Sequence, residues 1–144
     1  MLFERILVPV KGDKTDREVV ELACSLASKK KGVVFAVYVI EVKRALPLDA
    51  EIEPEIQKGE KILEQVDMLA QEKECRIETE LLQAREVGPA LVDEAAEKNV
   101  ALIIIGLGYK KRFGEFSLGS IAPYILKNAP CRVLVYREPV QGET

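Results

Sequence analysis

The chain contains no histidine and no tryptophan, and its three cysteines, Cys24, Cys75 and Cys131, lie far apart. Without histidine there is no imidazole general base, no Ser-His or Cys-His couple and no imidazole metal ligand. The cysteines form no C-x-x-C pair, so a metal site or a disulfide framework is not expected. Cys24 and Cys131 read instead as small core residues. No apolar run approaches the roughly 20 residues of a membrane-spanning helix. The opening MLFERILVPV carries Glu4 and Arg5 and lacks the pattern of a signal peptide, so a cytoplasmic location without membrane insertion is expected. A formal net charge of -3 gives no electrostatic reason to expect nucleic acid or an anionic membrane as partner.

What is present suits a globular protein. With 144 residues, 48% hydrophobic and 31% charged, the chain can build one domain with its own core. That domain is expected over residues 1–138, followed by a short polar tail at 139–144. Residues 5–10 (RILVPV) form a short β-rich run, and residues 33–40 (VVFAVYVI) are almost wholly apolar, as a parallel strand buried on both faces should be. Between them Thr15 and Glu18 have the spacing of a capping box, opening a helix that stops near Gly32. Lys29, Lys30 and Lys31 read as its solvated C-terminus.

An irregular stretch over residues 41–54 precedes a charged helix from about 55 to 73. A less buried strand is expected at 76–83, and Gly88-Pro89 marks a helix with proline at its first position and Leu91, Val92, Ala95 and Ala96 inward. A strand at 101–105, a loop, a helix from about 120 to 128 and a strand at 131–136 complete the order β-α-β-α-β-α-β-α-β. Such alternation predicts one doubly wound α/β domain with a parallel sheet and helices on both faces. Ligands of these sheets sit beyond the carboxyl ends of the strands.

The chemistry concentrates in the loop after the 101–105 strand, GLGYKKRFGEFSLGS. Glycines between a buried strand and a helix let backbone N–H groups approach an anion. Lys110, Lys111 and Arg112 add positive charge, and Ser120 stands where an N-cap belongs. Asp13 and Asp16 read as carboxylates that suit the start of the first helix. Glu51, Glu53 and Glu55 read as a solvated face.

The segments ILVPV, VGPALVDEAAEKNVALIIIG and LGSIAPYILKNAPCRVLVY together resemble the universal stress protein family from about Phe3 to Tyr136. The resemblance implies a five-stranded fold of the adenine nucleotide alpha hydrolase-like kind and a homodimer joined through the last strand, here Cys131 to Tyr136. One branch of that family binds ATP through G-x2-G-x9-G-[S/T]. In this chain the pattern places Gly106 first and Gly119-Ser120 last at the right spacing, with Tyr109 in place of the second glycine and Gly108 one residue early. The family's ATP binders also tend to carry an acidic residue after the first strand, where this chain has Lys11. The pocket implied by resemblance comprises Pro9, Val10, Lys11, Val39, Ile105, Gly106, Gly108, Tyr109, Gly119, Ser120 and Ile121.

These residues are compatible with three uses. The leading one is a non-catalytic stress-response or regulatory module with an adenine nucleotide, ATP or AMP, as its ligand, and with magnesium only where ATP is bound. The second is an ATP-binding switch or slow ATP hydrolase. The third is a nucleotide-free module that contacts a regulatory protein, presenting the 41–54 loop and the loop that carries Phe113 and Phe116. No catalytic residue and no metal ligand is assigned.

Overall fold

The computed structural model describes residues 1–108, 111–112, 115–116 and 119–140. Five parallel strands, β1 (Arg5–Pro9), β2 (Val33–Glu41), β3 (Ile77–Ala84), β4 (Leu102–Leu107) and β7 (Arg132–Arg137), form one sheet in the order β3-β2-β1-β4-β7. Four helices, α1 (Thr15–Leu26), α2 (Glu53–Glu72), α3 (Val87–Glu97) and α4 (Ile121–Asn128), provide the crossovers. The doubly wound α/β arrangement expected from the alternation is thus the one formed. Within the loop after β4, expected to be irregular, β5 (Lys111–Arg112) pairs antiparallel with β6 (Glu115–Phe116).

Side chains alternate across the sheet. Ile6, Val8 and Val10 join Val34, Ala36, Leu102 and Ile104 under α1 and α2. Leu7, Phe35, Val37, Ile103 and Ile105 face α3 and α4, where Leu91, Ala95, Ala122 and Ile125 meet them. This period of two explains why β1, β2 and β4 read as unbroken apolar runs: both of their faces are covered. β3 and β7 lie at the edges and are correspondingly less buried.

Several local expectations are corrected. Thr15 is the first residue of α1 and makes no capping box with Glu18; Asp13 Oδ1 accepts from the Thr15 N–H at 2.9 Å and from its hydroxyl. α1 ends at Leu26, and Lys29 to Lys31 lie in the turn before β2, beyond the helix end. In α3, Val87 is first and Pro89 third. Ala96 of that helix is exposed while Glu94 is buried, because residues 91, 94 and 95 share the face toward the sheet at helical spacing.

The cysteines give the largest correction. Cys24 of α1 and Cys75, just before β3, form a disulfide with Cα atoms 5.6 Å apart. The last turns of α1 and the α2–β3 connection meet at the same end of the sheet, which a sequence separation of 51 conceals. Cys131 remains free and is half-buried.

The 42–52 segment is tied down by side chains that follow it. Gln83 Nε2 donates to the carbonyls of Leu48 and Ala50, each at 2.9 Å. Arg85 Nη1 donates to those of Lys43 at 2.6 Å and Leu46 at 2.8 Å. These bonds satisfy backbone carbonyls that have no ladder to join.

Candidate functional site

The carboxyl ends of β1, β2 and β4 open into a cavity of about 460 Å³ roofed by the starts of α3 and α4. Pro9, Val10 and Lys11 supply its β1 side, and Val37, Tyr38 and Val39 its β2 side. Ile105, Gly106 and Leu107 come from β4. Val87 and Leu91 of α3, and Gly119, Ser120, Ile121 and Ala122 at the start of α4, close it. The walls are mostly aliphatic, and among the described residues Lys11 is the one charged side chain that lines them.

The turn from β1 into α1 is built by carboxylates. Gly12 takes a φ of +92°, which glycine reaches without steric cost. The Asp16 carboxylate accepts from the Gly12 N–H at 2.7 Å and the Lys11 N–H at 3.1 Å. Burial pushes the Asp16 carboxyl above its ordinary range, and these two N–H groups oppose that rise. Asp13 and Asp16 thus do more than suit a helix dipole: they hold the loop that carries Lys11. The Lys11 ammonium in turn donates to the Gly106 carbonyl at 2.6 Å and lies 3.7 Å from Asp13 Oδ2.

Gly106, expected where an anion is approached, has a packing role as well. A Cβ there would lie 2.9 Å from Val19 Cγ1 and 3.0 Å from Thr15 Oγ1, so α1 sits directly on this residue. Gly119 differs, with a φ of +71° and open space around it, so its requirement is conformational. Ser120 occupies the N-cap position of α4, but its hydroxyl caps no N–H group. Its φ of -103° and ψ of -26° already lie toward the helical region, away from the extended backbone that turns a capping side chain over the helix end.

Nine of the residues expected in the pocket therefore meet at one cavity: Pro9, Val10, Lys11, Val39, Ile105, Gly106, Gly119, Ser120 and Ile121. Gly108 does not line it; its nearest neighbour is the Glu138 carboxylate, 3.4 Å from where a Cβ would stand. Tyr109 lies outside the described residues, as does Lys110. Val37, Tyr38, Val87, Leu91, Leu107 and Ala122 also line it and were not expected there. Val37 could have been found from its period-two relation to Val39.

Elsewhere, Glu51, Glu53 and Glu55 are exposed, as expected of a solvated face. Among the described residues no group of three or more His, Cys, Asp or Glu could hold a metal ion, and no helix is long and apolar enough to cross a membrane.

A model of the universal stress protein family matches residues 2–137. The universal stress protein MJ0531 of Methanocaldococcus jannaschii is 31% identical over 144 residues, covering 96% of this chain and 84% of that protein. In fold, the chain is similar to a universal stress protein from Archaeoglobus fulgidus, with a TM-score of 0.78, 20% identity, and coverage of 93% of this chain and 98% of that one. It is also similar to the universal stress protein from Archaeoglobus fulgidus solved in complex with dAMP, with a TM-score of 0.72, 22% identity, and coverage of 94% and 98%. The extent of the family match, together with the identity to the archaeal relative, assigns the chain: it belongs to the universal stress protein family.

Proposed function

We propose that this protein is a non-catalytic stress-response module that binds an adenine nucleotide in the cavity between β1, β4 and the start of α4. The observation that carries the reading is the cavity itself. Its aliphatic walls suit a flat, weakly polar base, and backbone N–H groups at the start of α4 suit a phosphate. The dAMP bound by a relative of the same fold supports adenine as the base. The lack of histidine, and of any carboxylate lining the cavity among the described residues, favours a binding role over hydrolysis. ATP and AMP are both candidate ligands, and magnesium enters the reading only with the phosphates of ATP.

The protomers pair through β7 in this reading. β7 is an edge strand of the five-stranded sheet, and its Val135 is 36% exposed, so its position and apolar side chains favour pairing with a second copy. A regulatory protein partner and a cytoplasmic setting belong to the same reading. The Cys24–Cys75 bridge makes the setting testable, because cytosolic thiols are mostly kept reduced.

Isothermal titration of the purified chain with AMP and ATP tests the ligand. Saturable binding at one site per chain, weakened by Val39→Trp through filling of the cavity, is the expected result. Saturable ATP turnover that disappears in Gly119→Ala would overturn the non-catalytic role.

A further inference from the structure

We infer that Lys11 makes this cavity selective for adenine nucleotides that carry a phosphate on the 2′ or 3′ position of the ribose. The inference rests on the nucleotide reading above and concerns what a bound nucleotide presents to the β1 side of the cavity.

Lys11 is a pre-positioned cation. Its ammonium is held by the Gly106 carbonyl at 2.6 Å and by Asp13 at 3.7 Å, and its backbone N–H is held by Asp16 at 3.1 Å. The Gly106 carbonyl takes one ammonium donor and Asp13 stands at ion-pair distance, which leaves donors for a ligand. Both nearby carboxylates are already engaged. Asp16 accepts from two backbone N–H groups, and Asp13 accepts from Thr15 while facing Lys11.

The position of Lys11 follows from the topology. The chain leaves β1 here and crosses to the face of the sheet that α1 covers, whereas α4 begins on the other face. Lys11 and the start of α4 therefore bound the cavity from different sides. In the inferred pose the base lies against the aliphatic walls of β2 and α3, the 5′-phosphate at Gly119–Ser120, and the 2′,3′ edge of the ribose toward Lys11. A pair of ribose hydroxyls is best matched by a carboxylate that accepts from both, and no carboxylate lines the cavity among the described residues. An ammonium donates only, so it gains most from an acceptor bearing full negative charge. A second phosphate on that edge supplies one.

The experiment compares adenosine 5′-monophosphate with adenosine 2′,5′- and 3′,5′-bisphosphate by isothermal titration of the full chain. At least one bisphosphate is expected to bind about tenfold more tightly than the monophosphate, as for a hydrogen bond to a charged group. The preference should shrink as salt is raised. Lys11→Gln and Lys11→Asp should reduce it to twofold or less, and Lys11→Arg should keep it; unchanged far-ultraviolet circular dichroism guards against misfolding. Monophosphate binding with no preference for either bisphosphate, or a preference that survives Lys11→Gln, overturns the selectivity and leaves the nucleotide reading standing. Failure of all three ligands to bind overturns both.

Discussion

A Cβ placed on Gly106 would stand 2.9 Å from Val19 Cγ1, so the end of β4 and the middle of α1 touch with no space for a side chain. Gly106→Ala should therefore push α1 away from the sheet. The expected loss is about 1–3 kcal/mol, the range for overpacking a tight core. Urea denaturation checks it. A variant as stable as the parent would show that α1 shifts at no cost and would remove packing as the reason for this glycine. The companion Gly119→Ala meets open space but inherits a φ of +71°, and should lose about 1 kcal/mol from backbone strain alone.

The Cys24–Cys75 bridge closes a segment 51 residues long in sequence, so it restricts the unfolded chain substantially. Reduction, or Cys24→Ser with Cys75→Ser, should lower stability by roughly 2–4 kcal/mol. In denaturant without reductant, thiol titration should count one free cysteine per chain, Cys131. Three titratable thiols and a melting temperature indifferent to reductant would show that the two cysteines do not pair.

The bridge also marks where sequence reasoning stops. β1, β2 and β4 were legible because burial on both faces leaves an unbroken apolar run that needs no knowledge of neighbours. The Cys24–Cys75 contact and the approach of α1 to Gly106 depend on how distant segments are brought together, and no local spacing encodes that. Thr15 illustrates a subtler limit. Its spacing to Glu18 satisfies the capping-box rule, yet Asp13, two residues earlier, bonds the helix start. The cavity was legible where glycines and prolines punctuate strand ends. It was not legible at Val87 and Leu91, whose aliphatic side chains look like any core face.

Glu94 gives the fold a pH dependence. It is 5% exposed, and its Oε1 has no hydrogen-bond partner among the described residues. Burial, followed by the charge of Glu80 on β3, raises its carboxyl from 4.5 to about 6. A pKa raised by folding means the stabilising contribution is complete below the unfolded value and is lost as pH rises through the folded one. Stability should thus fall between about pH 5 and about pH 7.5, by an amount on the order of 1 kcal/mol. Glu94→Gln should flatten that slope, and Glu80→Gln should reduce it by removing the repelling charge. Urea midpoints at the two pH values decide the matter; an equal fall in Glu94→Gln would assign the dependence to other groups.

The 42–52 segment owes its course to Gln83 and Arg85, which together donate to the carbonyls of Lys43, Leu46, Leu48 and Ala50. Its own side chains contribute little burial, since residues 43–49 are exposed. Backbone carbonyls released at the surface are readily taken up by water, so the cost of losing these donors is small globally and concentrated locally. Arg85→Ala should therefore change the urea midpoint little, by about 1 kcal/mol or less, while making the segment far easier to cleave. Limited proteolysis followed by mass spectrometry of the fragments checks this at Lys43 and Arg44, where trypsin would cut. Cleavage no faster than in the parent would mean that the segment is held by something other than the Arg85 hydrogen bonds.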